Sequence, residues 1–161
     1  MQKRKEPLLK SRSVKSLNDL SDWEKSKKVF IKKLARGELP TRAVNALKES
    51  ILGAEYALEL ILVGDARSRF LNATYRGTNK PTNILSFPLA KQEGQLVLHS
   101  TLSEKEARQQ KVAPRDYQLY LLTHGMLHLR GLDHGKKMEQ LEVQWLKSHV
   151  SHLFLAWLKS K

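Results

Sequence analysis

One string constrains this chain more than any other: His124-Gly-Met-Leu-His128-Leu-Arg-Gly131-Leu-Asp-His134. On a helix, residues four apart stack on one face, so His124 and His128 can turn two imidazoles toward one ion. Gly131 follows three residues later, and glycine accepts the left-handed backbone that stops a helix and turns the chain. The turn brings His134 back as a third ligand. Three imidazoles on a tetrahedral zinc leave one coordination position open, which is the catalytic arrangement. Taken singly, a histidine is more often a core or surface residue. Three of the six histidines fall within this one string, with glycine at the bend, and that spacing points to a single metal site. His99, His149 and His152 have no such context; the last two, read as i,i+3 on a final helix, are a surface pair.

An open zinc position lowers the pKa of a bound water to about 7, which makes hydroxide available at neutral pH. The string also lacks something. A zinc peptidase of the His-Glu-x-x-His type keeps a glutamate beside the first histidine as general base. Here that place is Gly125, which can do no acid–base work. The ligand spacing is metzincin-like without the peptidase base. This favours a reaction that needs mainly a metal hydroxide and a positive clamp. The chain has no cysteine, so it has neither disulfides nor thiolate ligands to close the site.

The 161 residues fit one domain with a proper core, and 40% hydrophobic with 28% charged is ordinary for a globular protein. No apolar run is long enough to span a membrane, and the N-terminus lacks the apolar stretch of a secretory signal. The missing signal and the absence of cysteine fit a cytoplasmic setting. The charge is less ordinary, at net +13, and residues 1–37 hold 12 basic against 4 acidic residues. Such a chain attracts polyanions, of which RNA is the commonest in a cell. The basic start is either a solvated tail or a segment that touches nucleic acid. Residues 1–26, with a weak helical pattern of Val14, Leu17 and Leu20 toward Trp23, read as a flexible extension, and 27–161 as the folded domain.

Lys28–Leu34 is short and rich in β-formers and reads as a strand. Pro40-Thr41 opens a helix to about Leu52, with Ala43, Ala46, Leu47 and Ile51 on one face. Tyr56–Val63 is nearly all apolar, as a buried strand would be. Asp65 is expected to cap a helix to about Tyr75. Arg76–Asn83 is turn-rich, and Ile84–Phe87, bounded by Pro81 and Pro88, suits a strand at a sheet edge. Gln95–His99 is another strand. A helix begins at Ser103 or nearby Thr101, with Glu104 and Glu106 in its first turn. Another runs from Pro114 to about Arg130. A last helix is expected from about Lys136 to Leu158. The pattern does not alternate regularly, so it predicts an α+β fold, a small mixed sheet packed with helices, rather than a doubly wound sheet.

The string from His124 to His134 resembles the His-Gly-x-Leu-His-Leu-x-Gly-x-Asp-His signature of the YbeY family. A second block agrees. Leu71-Asn-Ala-Thr-Tyr75-Arg76-Gly-Thr-Asn-Lys-Pro81-Thr-Asn83-Ile-Leu-Ser86-Phe-Pro88 is similar to that family's Asn-x-x-Tyr-Arg…Pro-Thr-Asp/Asn-Val-Leu-Ser-Phe-Pro segment. The resemblance covers roughly residues 28–158 by element count. It implies a single-domain, zinc-dependent endoribonuclease with one Zn²⁺ per chain. Such an enzyme cuts single-stranded RNA with a zinc-bound water, in ribosomal RNA maturation (the 16S 3′ end) and ribosome quality control. The implied partners are ribosomal RNA, the ribosomal subunit and ribosome-associated proteins, with no membrane. It also implies that Arg76 lies near the metal and contributes to activity. A guanidinium can grip a phosphate with two hydrogen bonds and stabilise developing charge.

Asn83 and Ser86 are candidates for lining the same cleft. Asp133 is expected to fix the turn or to orient a ligand histidine by accepting its free N–H. The sequence departs from the family pattern in two places. Gln95 stands where an aspartate is usual, which bears on activity if that acid tunes the site. Gly135-Lys-Lys replaces an acidic stretch, which makes the cleft rim more basic. Two other readings compete: a zinc-dependent peptidase or amidohydrolase, and a non-catalytic RNA- or ribosome-binding assembly factor with structural zinc. The missing glutamate opposes the first and the missing cysteine the second. Three imidazoles also suit Ni, Co or Fe, so the metal's identity stays open.

Overall fold

The computed structural model describes residues 29–161. The expected extension over residues 1–26, its helical pattern and the first residue of the first strand lie outside the described residues. A four-stranded sheet forms the centre. Strand β1 (Phe30–Lys33) runs parallel to β2 (Ala57–Val63), and β2 runs parallel to β4 (Glu93–His99). Strand β3 (Ile84–Ala90) pairs antiparallel with β4 in the register Ser86↔Leu96, giving the order β1-β2-β4-β3. Helix α1 (Thr41–Leu52) makes the β1–β2 crossover, and α2 (Asp65–Arg76) follows β2. After β4 come α3 (Ser100–Gln109), α4 (Pro114–Leu129), α5 (Lys136–Leu146) and α6 (His152–Lys159). This is the expected α+β fold with a small mixed sheet.

The two faces of the sheet have different jobs. Side chains alternate along a strand. Leu58, Leu60 and Leu62 of β2, Leu96 and Leu98 of β4, and Ile84 of β3 bury one face in the main core with α1 and α4. Ile61, Val63, Leu85 and Val97 bury the other face against Leu71, Tyr75 and Phe87. Burial on both sides is why β2 reads as a continuous apolar run.

Helix α4 is enclosed nearly all round, from Asp116 to Leu129. It reaches β3 and β4 closely because of Gly125. A Cβ there would stand 2.8 Å from Leu96 Cδ2 and 3.1 Å from both Ile84 Cδ1 and Ser86 Oγ. The glycine beside His124 therefore serves packing, since any side chain there would force Leu96 to shift.

Several element boundaries differ from expectation. The single final helix is two, α5 and α6. Buried Asp116 accepts the Ser151 N–H at 3.0 Å, and the Ser151 hydroxyl accepts the Phe154 N–H at 3.2 Å, so a cap forms where a continuous helix was expected. His149 lies in this break and His152 starts α6, so they are not a pair on one helix. Helix α3 starts at Ser100, with His99 Nδ1 accepting the Leu102 N–H at 3.4 Å. Glu104 and Glu106 therefore lie beyond its first turn. Asp65 is the first residue of α2 and not its cap, which is Gly64 without a side-chain bond. Strand β3 continues past Pro88 to Ala90. It lies at the sheet edge, as expected, where a missing N–H costs no ladder partner.

Candidate metal centre

The last turns of α4 carry His124 and His128. Helix α4 ends where Gly131 adopts φ 82°, and the Leu132 N–H returns to the Leu127 carbonyl at 3.1 Å. That reversal carries His134 back toward the helix. Each histidine offers one nitrogen to a cluster whose members all lie within 4.8 Å of one another.

Hydrogen bonds at the far ring nitrogens fix the roles of the near ones. His128 Nδ1 lies 2.9 Å from the Leu132 carbonyl, which can only accept, so this nitrogen carries the proton. His124 Nδ1 lies 2.6 Å from Glu142 Oε1, and a carboxylate likewise accepts. With both rings neutral, the two Nε2 atoms are lone pairs, and they face each other across 3.0 Å. Two neutral acceptors at that distance repel; a cation between them turns the repulsion into ligation. Nitrogens about 2.05 Å from one tetrahedral zinc lie about 3.3 Å apart, close to the spacing of this pair, and His134 offers its nitrogen within 4.8 Å of both. The donor set thus fits a divalent ion held by His124, His128 and His134, with no cysteine in the chain to close it. Burial, followed by the neighbouring His124, holds the His128 pKa below its ordinary value. The Leu132 hydrogen bond opposes this, and His134 and Arg76 add to the lowering. His128 therefore stays neutral and ligand-ready at neutral pH.

The cluster opens into a cleft of about 590 Å³ that Arg76, Asn83 and Ser86 also line. Arg76 is the last residue of α2, exposed, with Gly77 behind it in the left-handed conformation. Ser86 sits on β3 facing α4. Asn83 is tied down, since its Nδ2 donates to Glu106 Oε2 at 2.7 Å, an oxygen that also accepts the Tyr117 hydroxyl at 3.1 Å. The structure therefore brings the three histidines, Arg76, Asn83 and Ser86 to one place.

Asp133 is elsewhere. It is exposed and bonds to none of the three histidines. At His124 and His128 the orienting acceptors are Glu142 and the Leu132 carbonyl, which leaves Asp133 the other role expected of it, in the turn. Glu142 sits on α5 and is only 4% exposed. Its signal in the sequence was the stripe Met138, Glu142, Leu146, four apart and all buried, which sets an acid among core positions. The carbonyl left no signal, because any residue supplies one. Tyr117 and Tyr120 also line the cleft and were not anticipated. Tyr120 is pushed up to about 12 by burial first, then by Glu142 and Glu139.

Neither departure from the family pattern touches the site. Gln95 pairs in register with Phe87, on the sheet face turned away from the histidines, and its amide donates to Glu59. A direct tuning role from that position is excluded by the alternation of the strand. Lys136 and Lys137 are exposed at the start of α5, and neither lines the cleft.

Fold and cluster together define an α+β protein with a three-histidine centre suited to a divalent ion. More narrowly, the chain belongs to the YbeY endoribonuclease family, whose profile matches residues 22–153. Among solved structures it is similar to a Thermotoga maritima protein determined in solution. The two share 26% identity with a TM-score of 0.54, over 73% of this chain and 87% of that one. Among the described residues no helix is long and apolar enough to cross a membrane.

Proposed function

We propose that this chain is a zinc-dependent endoribonuclease that hydrolyses phosphodiester bonds in single-stranded RNA. It acts in ribosomal RNA maturation, including the 16S 3′ end, and in ribosome quality control, in the cytoplasm and on the ribosomal subunit. Residues 27–161 form the catalytic domain, and residues 1–26 are an extension to it. The observation that carries the reading is the pair of Nε2 atoms that face each other across 3.0 Å, in the same cleft as a guanidinium with no anionic partner among the described residues.

His124, His128 and His134 would hold the ion. When bound, it supplies Lewis acidity toward a phosphoryl oxygen and makes water acidic enough to attack near neutral pH. Glu142 and the Leu132 carbonyl keep two imidazoles in the ligating tautomer and orientation. Arg76 binds the phosphate and stabilises the charge that grows on its oxygens. Asn83 and Ser86 line the path of the strand. A net charge of +13 draws the polyanion in. Unstacked bases enter a cleft of this kind more readily than a duplex does.

Gly125 argues against the peptidase reading on steric as well as chemical grounds, since a glutamate has no space there. The test offers single-stranded RNA, duplex RNA and casein to the purified protein, with and without a chelator, after metal analysis. Cleavage of single-stranded RNA alone, lost with chelation and restored by zinc, is expected. Casein cleavage, or RNA cleavage indifferent to the chelator, would overturn the reading.

A further inference from the structure

Resting on that reading, we infer that Tyr120 forms a nucleobase subsite in the cleft, stacking the base next to the phosphate being cut. Tyr120 lines the cleft one helical turn before His124, and its ring centre lies 6.1 Å from that of His124. A base is separated from its phosphate by one sugar. A ring beside a metal ligand is therefore where the neighbouring base must rest while the phosphate meets the ion and Arg76.

The ring is rigidly mounted. Trp157 meets Tyr120 edge-on at 6.1 Å and 86°, Phe154 lies 6.3 Å away, and Tyr117 lies 5.9 Å away. The break between α5 and α6 places Phe154 and Trp157, because it sets α6 against α4, which carries Tyr117 and Tyr120. The aromatic platform and the cap at Ser151 are thus one device.

Tyr120 borders the cleft, and a cation stands over its ring. The Lys161 ammonium stands 5.2 Å from the Tyr120 ring centre and 4.4 Å from that of Trp157, and Lys161 lines the same cleft. A face that receives a cation also receives the flat face of a base. An exposed cation–π contact is worth roughly two- to fivefold in affinity. A stacked base is worth roughly five- to a hundredfold, so the base displaces the ammonium. The displaced lysine remains in the cleft, where the strand's phosphates give it a stronger partner. Stacking is tolerant of base identity, so the subsite selects for an unstacked base rather than for a sequence. A base locked in a duplex cannot reach it, which gives the single-strand preference a physical seat.

The test combines binding and cleavage. Adenosine 5′-monophosphate and ribose 5-phosphate are titrated calorimetrically against the metal-loaded protein, its Tyr120→Leu variant and its Tyr120→Phe variant. Wild type and Tyr120→Phe should prefer the nucleotide by roughly fivefold or more, and Tyr120→Leu should lose that preference while keeping its metal content. In parallel, a single abasic residue is moved along a short oligoribonucleotide. One position should lower wild-type kcat/KM by a similar factor, and Tyr120→Leu should be indifferent at that position. Equal binding of the two ligands by wild type, or an abasic penalty that survives in Tyr120→Leu, overturns the subsite. Should Tyr120→Leu fail to fold, the wild-type ligand preference and abasic scan still decide. Wild-type protein that cleaves no RNA overturns the endoribonuclease reading instead, while the nucleotide preference still judges the subsite.

Discussion

Glu142 on α5 places Oε1 2.6 Å from Nδ1 of His124 on α4, so a carboxylate in the core holds one ring of the metal centre. With Glu142 only 4% exposed, few waters compete for that bond. The acceptor keeps the proton on Nδ1, leaves Nε2 as a lone pair and raises the basicity of the ring toward an ion. It also couples the centre to the docking of α5.

Replacing this acid tests the coupling without opening a cavity. Glu142→Gln is nearly isosteric, but it is neutral and its amide can flip to present a donor. Metal affinity should fall by roughly 10- to 100-fold, measured by competition with a chelator of known affinity. Unchanged affinity would mean that the carboxylate supports α5 alone.

His128 has its own acceptor, the Leu132 carbonyl, and needs no side-chain partner. His128→Ala should therefore leave His124 correctly oriented yet remove one of three ligands. Elemental analysis of the purified variant should find little metal, with cleavage lost in parallel. Normal metal content would refute the ligand assignment.

The sequence spoke clearly wherever a local rule governs. Four-residue spacing placed His124 and His128, glycine at 131 announced the reversal, and the flanking prolines put β3 at the sheet edge. It was silent where two distant segments meet. Nothing near Ser151 reveals that buried Asp116, 35 residues earlier, accepts its N–H and divides the last helix in two. Asp133 is a candidate to fix the turn or to orient a ligand histidine, yet the acid that bonds His124 arrives from the next helix. In the sequence Gly125 marks a missing base, and its steric meaning depends on Leu96 and Ile84, which lie far from it along the chain.

Tyr120 carries a pH signature. Its folded pKa of about 12 lies above the ordinary tyrosine value of 10, so the folded state holds a proton that the unfolded state gives up. The unfolded chain therefore binds fewer protons between those values, and stability falls as pH rises through that window. Absorbance of phenolate should lose one ionisation near pH 12 in Tyr120→Phe, while the still later ionisation of Tyr117, raised by burial and Glu106, persists. A titration curve unchanged near pH 12 in the variant would refute the assignment.

Glycine to alanine within an exposed helix stabilises by about 1 kcal/mol. At Gly125 the sign should reverse. The new Cβ would meet Leu96 at 2.8 Å, and Leu96 is fully buried with nowhere to go. Overpacking of a filled core costs about 1–3 kcal/mol, so Gly125→Ala should lose up to about 2 kcal/mol net. Urea unfolding measures this directly, and a stabilised variant would show that α4 can lift off the sheet.

Arg76 separates chemistry from scaffold. It is exposed at the end of α2, its guanidinium has no ion-pair partner among the described residues, and the helix already ends on Gly77. Removing the side chain should therefore leave the melting temperature and metal content unchanged. Its loss should be felt where phosphate charge develops, and removing a positioned donor of that kind costs roughly 100- to 1,000-fold in kcat. Arg76→Lys keeps the charge but not the planar fork, so it should recover only part of the loss. A defect confined to KM, fully restored by lysine, would make Arg76 a simple attractor of polyanions. Unchanged cleavage in Arg76→Ala would remove it from the mechanism.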